Sequence, residues 1–283
     1  MERIRTLSRG LFTAGRLGWS IESNWTDPFV FMTYQIVRPI FGALILVFMY
    51  KVVTGQPASA VLFAQLYVGN AFFILVIQAM NGIGQTIFED REHYEMIRYV
   101  YLAPIGMGAY LTGRGLAKVT STTAAIAFTL IAGVFLFGVE FHLSAAGIPY
   151  IIVAMLLGIV AAMAFGILLA AVTLVTAQHG FSMAEGASGI LFLLSGAVFT
   201  PDILPTWVAG ISHWVPLTYW LESLRRALLG APFVESLAAL SDGAVLLRLS
   251  WTTALVAVLA WLTLRAALHR AVSTGRLDQK TDH

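Results

Sequence analysis

The stretch EDREHYEMIRYVYLAP, residues 89–104, concentrates charge in a chain that otherwise carries little of it. It places six formal charges within ten residues, whereas only 11% of the 283 residues are charged overall. Uncharged runs flank it at residues 52–88 and 119–139, and each has the ~20 residues that a helix needs to cross a bilayer. The charged stretch is therefore predicted to lie outside the lipid, between two membrane spans.

Residue spacing within this stretch predicts a short helix. Arg91 and Glu95 are four residues apart, and Glu95 and Arg98 are three apart, which are the spacings at which side chains meet on a helix. Pro104 limits how far the helix can extend. Two interpretations follow from the charges: a docking surface for a soluble partner, or a solvated connector that keeps the loop in water.

Composition indicates an integral membrane protein. Hydrophobic residues make up 58% of the chain, against roughly 45–50% in ordinary soluble domains. The chain has no cysteine, which excludes disulfides and thiolate metal sites. Its net charge of +2 does not indicate a nucleic-acid partner, because the basic residues lie where membrane topology would place them. Residues 1–18 have no continuous apolar core, so no cleavable signal peptide is predicted.

Apolar runs predict an all-α membrane protein with six spans in a single domain. Residues 1–27 are expected to form an amphipathic helix in the headgroup region, anchored by Trp19 and Trp25; the alternative is a frayed polar leader, since glycines weaken this helix. Residues 28–270 would hold the bundle and 271–283 a tail. The spans are predicted at residues 29–53, 61–83, 116–139, 148–177, 182–199 and 245–268.

Polar residues inside the predicted spans are few. Arg38 in the first span can snorkel to the nearer interface, so it is interpreted as a tolerated boundary charge. The second span contains four amides, which are expected to face other helices or a water-filled pathway. These amides are Gln65, Asn70, Gln78 and Asn81.

The distribution of Lys and Arg predicts the orientation. With the N-terminus inside, thirteen of the 17 basic residues fall on the inner side and four on the outer side. Inner loops of membrane proteins carry the excess of Lys and Arg. Both termini and the charged stretch are therefore predicted to be cytoplasmic, in the cell's inner membrane.

A segment of mixed character, residues 200–230, follows the fifth predicted span. Its prolines divide it into pieces too short to cross a bilayer, and aromatic residues lie among them. It is predicted to enter the outer leaflet and turn back, with an ordinary outer loop as the alternative. Glu222 and Arg225 are expected to pair at i,i+3 spacing and to brace the segment. The residues singled out here are Pro201, Pro205, Trp207, Trp214, Pro216, Tyr219, Glu222 and Arg225.

A family resemblance rests mainly on LSGAVFTPDILPTWVAGISHWVPLTYWLESLRRALLG, residues 194–230. Together with the N-terminal amphipathic helix, the six predicted spans and the charged stretch after span two, it resembles the ABC-2 type membrane permeases of ATP-binding-cassette exporters, most closely the drug and lipid export branch. Many members carry Gly-Thr-apolar-Glu in the charged loop, whereas this chain has Tyr-Glu-Met-Ile at residues 94–97.

The resemblance implies a coupling helix over residues 89–99 that docks onto a separate ATPase subunit. It also implies two permease chains, as a homodimer or a related heterodimer, with the substrate path between them, and ATP and Mg on the partner alone. The implied docking residues are Glu89, Asp90, Arg91, Glu92, Tyr94, Glu95 and Arg98.

Three classes of function are compatible with such a chain. The leading one is the membrane subunit of an ATP-driven exporter of a drug, lipid or glycolipid, because GRGLAKVT at residues 113–120 lacks the residues of a phosphate-binding loop. The second is an ion-coupled carrier that works alone, which would need ionisable groups near the middle of the membrane. The third is an intramembrane enzyme using His93, Glu92 and Glu95, although charged surface helices are usually solvated. No catalytic or metal-binding residue is predicted.

Overall fold

The computed structural model describes residues 2–23, 60–103, 105–144, 147–176 and 180–275, together with isolated positions between 37 and 52. Within these ranges the chain forms helices joined by turns, and no strand occurs there. The α-helices are α1 Glu2–Ser23, α2 Ala60–Phe88, α3 Ile97–Leu102, α4 Met107–Phe137, α5 Gly147–Val175, α6 Gly180–Leu194, α7 Thr206–Ser212, α8 Pro216–Leu229, α9 Glu235–Ala238 and α10 Asp242–Ser273.

Four of the described helices are long and apolar enough to cross a membrane, namely α2, α4, α5 and α10. They correspond to the predicted spans at residues 61–83, 116–139, 148–177 and 245–268. The span predicted at residues 29–53, with its Arg38, lies largely outside the described residues. The structure therefore confirms an all-helical, multi-pass protein, while the six-span layout stays a prediction.

Helix α6 is shorter than the span predicted over residues 182–199. It has 15 residues, or about 22 Å of helix, against the ~30 Å of a hydrocarbon core. Gly196 ends this region of helix with a φ of +73°, a left-handed conformation that glycine adopts at little cost. The predicted end at residue 199 is wrong for that reason.

Helix α4 begins nine residues earlier than predicted, at Met107 instead of residue 116. Two glycines in these additional turns pack against other helices. A side-chain carbon at Gly113 would lie 2.6 Å from the Cβ of Ala14 in α1, and one at Gly115 would lie 2.6 Å from Ile83 in α2. These glycines are contact positions within a helix, because only a residue without Cβ allows so close an approach.

Helix α1 confirms the predicted N-terminal helix and packs against α4. Its buried positions include Gly10, Ala14 and Gly18, which recur every four residues and so share one face. The glycines were expected to weaken this helix; instead they form its packing face. Phe12 and Trp19 on other sides are exposed, as an interfacial helix requires.

Helix α2 is the central element, since it packs against α4, α5, α6 and α8. The hydroxyl of Tyr67 donates to the carbonyl of Thr129 in α4 at 2.5 Å. On the α6 side, the rings of Phe73 and Phe192 lie 4.9 Å apart between centroids. Other helices are therefore positioned by their contacts with α2.

The bundle has two ends, defined by where α2 begins and ends. The first residues of α2 lie beside α8, where Gln65 contacts Arg225; we call this the Glu222 end. The last residues of α2 lead into the charged stretch, which we call the Glu89 end. Helix α10 starts at the Glu222 end, where Asp242 contacts Arg226.

Candidate functional site

The backbone of the charged stretch forms two short segments. A π-helical turn, Glu89–His93, continues α2. Glu95 then takes a φ of +53°, a left-handed conformation that is uncommon for any residue but glycine, and α3 begins at Ile97. The single helix predicted over residues 89–99 is wrong, because the backbone leaves the right-handed helical conformation at Glu95.

The first half of the stretch is folded into the protein. Asp90 is 1% exposed and Arg91 is 4% exposed. The hydroxyl of Tyr110 in α4 donates to Oδ2 of Asp90 at 2.8 Å. Arg91 donates from Nε to Oε1 of Glu92 at 2.9 Å and from Nη1 to the carbonyl of Thr173 in α5 at 3.4 Å. These buried groups tie the π-helical turn to α4 and α5, and they are not available to a docking partner.

An ion pair adds a third connection at the Glu89 end. Nη2 of Arg114 in α4 donates to Oε2 of Glu89 at 3.1 Å, with the arginine side chain 6% exposed and the glutamate 42%. Gly18 of α1, Gln85 of α2 and Lys118 of α4 line a small polar cavity beside this pair. The pair therefore sits where α1, α2 and α4 meet.

The second half of the stretch faces outward. Ile97 is 3% exposed and anchors α3 on the bundle, whereas Tyr99 is 72% and Leu102 is 73% exposed. Exposed aromatic side chains and arginine are enriched in surfaces that bind another protein. The exposed positions are His93, Tyr94, Glu95, Arg98, Tyr99, Tyr101 and Leu102, and we call this surface the exposed segment.

Glu222 is a fully buried carboxylate at the opposite end of the bundle. It accepts the Nε–H of Arg226 at 2.8 Å and the backbone N–H groups of Phe233 and Val234, each at 3.1 Å. Arg226 also donates to Oδ1 of Asp242 at 3.3 Å. This network joins α8 to the loop that follows it and to the start of α10.

Arg225 is also fully buried, but it does not form the predicted pair with Glu222. It donates from Nε to the carbonyl of Gln65 and from Nη2 to that of Ala197, both at 2.9 Å. Its guanidinium carbon lies 4.0 Å from the centroid of the Phe233 ring, which also favours a cation. The prediction was wrong because residue 226, at i+4, lies over Glu222 while Arg225 points towards α2.

The remaining predicted residues of the segment after α6 divide into buried and exposed groups. Pro201 is buried and begins a 3-10 turn, and Pro216 is buried and begins α8. Tyr219 donates its hydroxyl to the carbonyl of His213 at 2.9 Å. Pro205, Trp207 and Trp214 are exposed. Proline suits both buried positions because the first residues of a helix need no N–H donor.

The four amides of α2 occupy different environments. Gln65 is 6% exposed and donates to the carbonyl of Pro232 at 3.2 Å, so its side chain holds the loop after α8. Asn70, Gln78 and Asn81 are half-buried along one side of α2. Their role in a pathway stays a prediction.

A family profile for ABC-2 type transporters matches residues 17–229, well over half of the chain. The chain belongs to the ABC-2 type transporter family. The comparison with curated proteins gave no match. The matched range of this permease extends from within α1 to the last residue of α8, so it includes both the exposed segment and the buried Glu222.

The permease has no nucleotide-binding module in the matched range. Residues 113–120, which faintly resemble a phosphate-binding loop, lie within the body of α4. The N–H groups of a helix interior are used by its own carbonyls and cannot surround a phosphate. The structure therefore agrees with the sequence that this stretch does not bind nucleotide.

Several residues that join helices to one another at either end of the permease were not predicted from sequence. At the Glu89 end they are Tyr110, Arg114 and Thr173, and at the other end Arg226 and Asp242. Tyr110 and Arg114 are four residues apart, which puts them on one face of a helix. That spacing would have indicated that both contact the same neighbouring segment, had α4 been predicted to begin at Met107.

Proposed function

We propose that this permease is the membrane subunit of an ATP-driven exporter. A separate cytoplasmic ABC ATPase would bind ATP and Mg and dock on the exposed segment. The cargo would be a hydrophobic or amphipathic molecule, such as a drug, lipid or glycolipid, moved outward. The observation that carries the proposal is the exposed segment itself, which offers aromatic and charged side chains at the end of the central helix.

The connections behind the exposed segment suit the transmission of force. Asp90 is bonded to α4 and Arg91 to α5, while Glu89 at the end of α2 pairs with α4. Because these groups are buried or partly buried, their hydrogen bonds resist rearrangement more than exposed ones would. A movement of the docked ATPase would thus displace α2, α4 and α5 together.

The proposed orientation places the Glu89 end in the cytoplasm. Helix α1 packs against the first turns of α4 at this end. The last turns of α10, with Arg270, line a groove with the end of α5. The location of α1 and of the last turns of α10 at the same end supports six spans, and it agrees with the excess of Lys and Arg predicted for the inner face.

The segment after α6 is proposed to re-enter the bilayer from the outer side. Trp220 of α8 packs so closely on Gly158 that a side chain there would overlap the indole. Gly158 lies eleven residues into α5, or roughly 16 Å along the helix axis. That depth supports an α8 held within the membrane and buried by α2, α5 and α10.

Two permease chains are proposed to enclose the pathway. Helix α6 supports this arrangement because part of its surface is uncovered: Ile190 is 61% and Leu193 is 41% exposed. The length of α6 also leaves it short of a full span on its own. A second copy of this chain, or a related one, would complete the transport unit.

The proposal is tested by reconstituting the permease with and without its ATPase subunit. The candidate partner is a soluble protein with a G-x-x-x-x-G-K-[ST] motif encoded beside the permease. ATP hydrolysis and transport are expected only when both proteins share the same vesicles. ATP hydrolysis by the permease alone would contradict the proposal, and uptake driven by an ion gradient without ATP would favour a stand-alone carrier.

A further inference from the structure

Helices α5 and α10 leave a groove between their last turns. Its volume is about 340 Å³, which is within the range of small-molecule sites. The α5 wall lies beside Thr173, whose carbonyl accepts a hydrogen bond from Arg91, so the groove is at the Glu89 end of the bundle. The residues that line it include Ala171, Val175 and Thr176 of α5 and Thr263, Ala266 and Arg270 of α10.

The walls of the groove are apolar despite the two threonines. The hydroxyl of Thr263 donates to the carbonyl of Leu259, and that of Thr176 donates to the carbonyl of Val172, both at 2.8 Å. These hydroxyl protons are used within their own helices, so they are not offered to a ligand. The alanine side chains are small and leave the space between the helices open. The groove therefore suits a hydrocarbon chain.

Arg270 is the one charged residue among those that line the groove. Its side chain is exposed, and its guanidinium forms no ion pair with the residues that the structure describes. No Asp or Glu occurs between residues 243 and 277 or between residues 141 and 184, so neither wall of the groove supplies a carboxylate. An arginine beside an apolar groove is complementary to an amphiphile with an anionic group.

Arg270 lies at the depth of lipid headgroups. Helix α10 has 32 residues, or about 48 Å of helix, against the ~30 Å of a hydrocarbon core, so its ends extend beyond the core. The guanidinium carbon of Arg265 lies 4.2 Å from the centroid of the Trp261 ring, and both side chains are exposed. Tryptophan is enriched at the membrane interface, and Arg270 lies about 7.5 Å farther along the helix. The groove therefore runs from the acyl region to the headgroups.

We propose that this groove binds one anionic phospholipid of the inner leaflet, with an acyl chain between α5 and α10 and the phosphate on Arg270. The cytoplasmic leaflet is where anionic lipids give the membrane its negative surface. A lipid without net charge lacks full complementarity to the unpaired arginine, and a soluble anion lacks the apolar part.

The lipid would be a resident component and not a cargo. Its acyl chain would fill the space between two packed helices, next to the turn of α5 that Arg91 contacts. Binding would thus stabilise the packing of α5 on α10 behind the charged stretch. The inference uses the proposed orientation of the Glu89 end, but it requires neither the ATPase subunit nor a particular transported molecule.

The test counts lipids bound to the purified permease by native mass spectrometry in detergent, with dioleoylphosphatidylglycerol and dioleoylphosphatidylcholine as probes. Phosphatidylglycerol should bind saturably, at one lipid per chain, and more tightly than phosphatidylcholine. Arg270→Gln should weaken phosphatidylglycerol binding about fivefold, as expected for one basic residue near an anionic headgroup, and Arg270→Lys should retain most of the affinity. Ala266→Phe fills the groove at an exposed position and should weaken binding of both lipids.

Matched controls separate the groove from general attraction of anionic lipid to basic residues. Arg248 is exposed near the start of the same helix, so Arg248→Gln should leave phosphatidylglycerol binding unchanged. Glycerol 3-phosphate, which has the anionic group without the acyl chains, should not compete. The unfolding temperatures of these variants in lipid-free detergent should match that of wild type, because all three positions are exposed.

Three results would overturn the proposal. The first is binding of phosphatidylglycerol that is no tighter than that of phosphatidylcholine. The second is wild-type affinity for phosphatidylglycerol in both Arg270→Gln and Ala266→Phe. The third is a change in the number of permease chains per particle with Ala266→Phe while lipid binding is unaltered, which would assign the groove to a second permease chain. Loss of ATP-driven transport with lipid binding intact would contradict the proposed function alone.

Discussion

Glu222 accepts a hydrogen bond from Arg226 at 2.8 Å, and both side chains are shielded from solvent, with 0% and 9% exposed. The same carboxylate receives two backbone N–H groups from the loop after α8. Three donors satisfy this buried charge, which removes most of the penalty for burying it. Through these hydrogen bonds, Glu222 stabilises the packing of the segment between α6 and α10.

Removing the charge of Glu222 should destabilise the permease strongly. Glu222→Ala leaves Arg226 without its main buried partner, and breaking such a pair costs roughly 3–5 kcal/mol. We expect the thermal unfolding temperature in detergent to fall markedly. Glu235→Ala serves as the control, because Glu235 is exposed and should change that temperature little. Equal unfolding temperatures for the two variants would show that the network contributes nothing.

Gly158 should tolerate no side chain. Its neighbour Trp220 is 0% exposed and occupies the space that a Cβ would need, so Gly158→Ala must displace the indole or separate α5 from α8. Such overpacking typically costs about 1–3 kcal/mol. Gly243→Ala provides the comparison, since open space surrounds that glycine near the start of α10. If the two substitutions have the same effect on the thermal unfolding temperature, the close contact between Gly158 and Trp220 is wrong.

Charge reversal in the exposed segment should uncouple the ATPase without unfolding the membrane domain. Glu95→Lys with Arg98→Glu changes two exposed side chains, so the unfolding temperature should stay near that of wild type. A misplaced charge at an interface weakens association. We therefore expect recovery of the co-purified ATPase to fall at least tenfold, which corresponds to a loss of about 1.4 kcal/mol in binding free energy. Unchanged recovery and transport would identify the segment as a solvated connector.

Glu92 should behave differently from Glu95, although sequence alone grouped them. The resemblance placed both among the docking residues, but the Glu92 side chain is 9% exposed and pairs with the buried Arg91. Glu92→Lys would place two cations together in a poorly solvated position and should lower the unfolding temperature. Measuring the two single variants side by side distinguishes a structural carboxylate from a surface one.

The proposed topology predicts opposite labelling of two positions. Residues 95 and 207 are both exposed, so a cysteine at either one should be reachable, and the chain has no other cysteine. In intact cells, a membrane-impermeant thiol reagent should label Trp207→Cys and not Glu95→Cys. The reverse pattern would invert the orientation. Labelling of both after permeabilisation is the control for accessibility.

Sequence by itself determined the features that depend on composition and on long apolar runs. The hydrophobic content and uncharged stretches indicated a membrane protein, and α5 was predicted to within two residues at either end. Pro216 was among the prolines expected to divide residues 200–230 into short pieces, and α8 begins at that residue. Such signals are local, because they follow from hydropathy and from the allowed backbone angles of single residues.

Only the tertiary structure decided which charges are internal and which face outward. Asp90 and Glu95 looked alike in sequence. In the structure, Asp90 is buried and accepts a hydrogen bond from Tyr110, whereas Glu95 takes a left-handed backbone conformation and its side chain is exposed. Arg225 and Arg226 are adjacent, yet one binds carbonyls of α2 and of the turn after α6 while the other neutralises Glu222. Apart from Glu222, these partners are distant in sequence, and burial of a charge depends on the partners that the fold supplies.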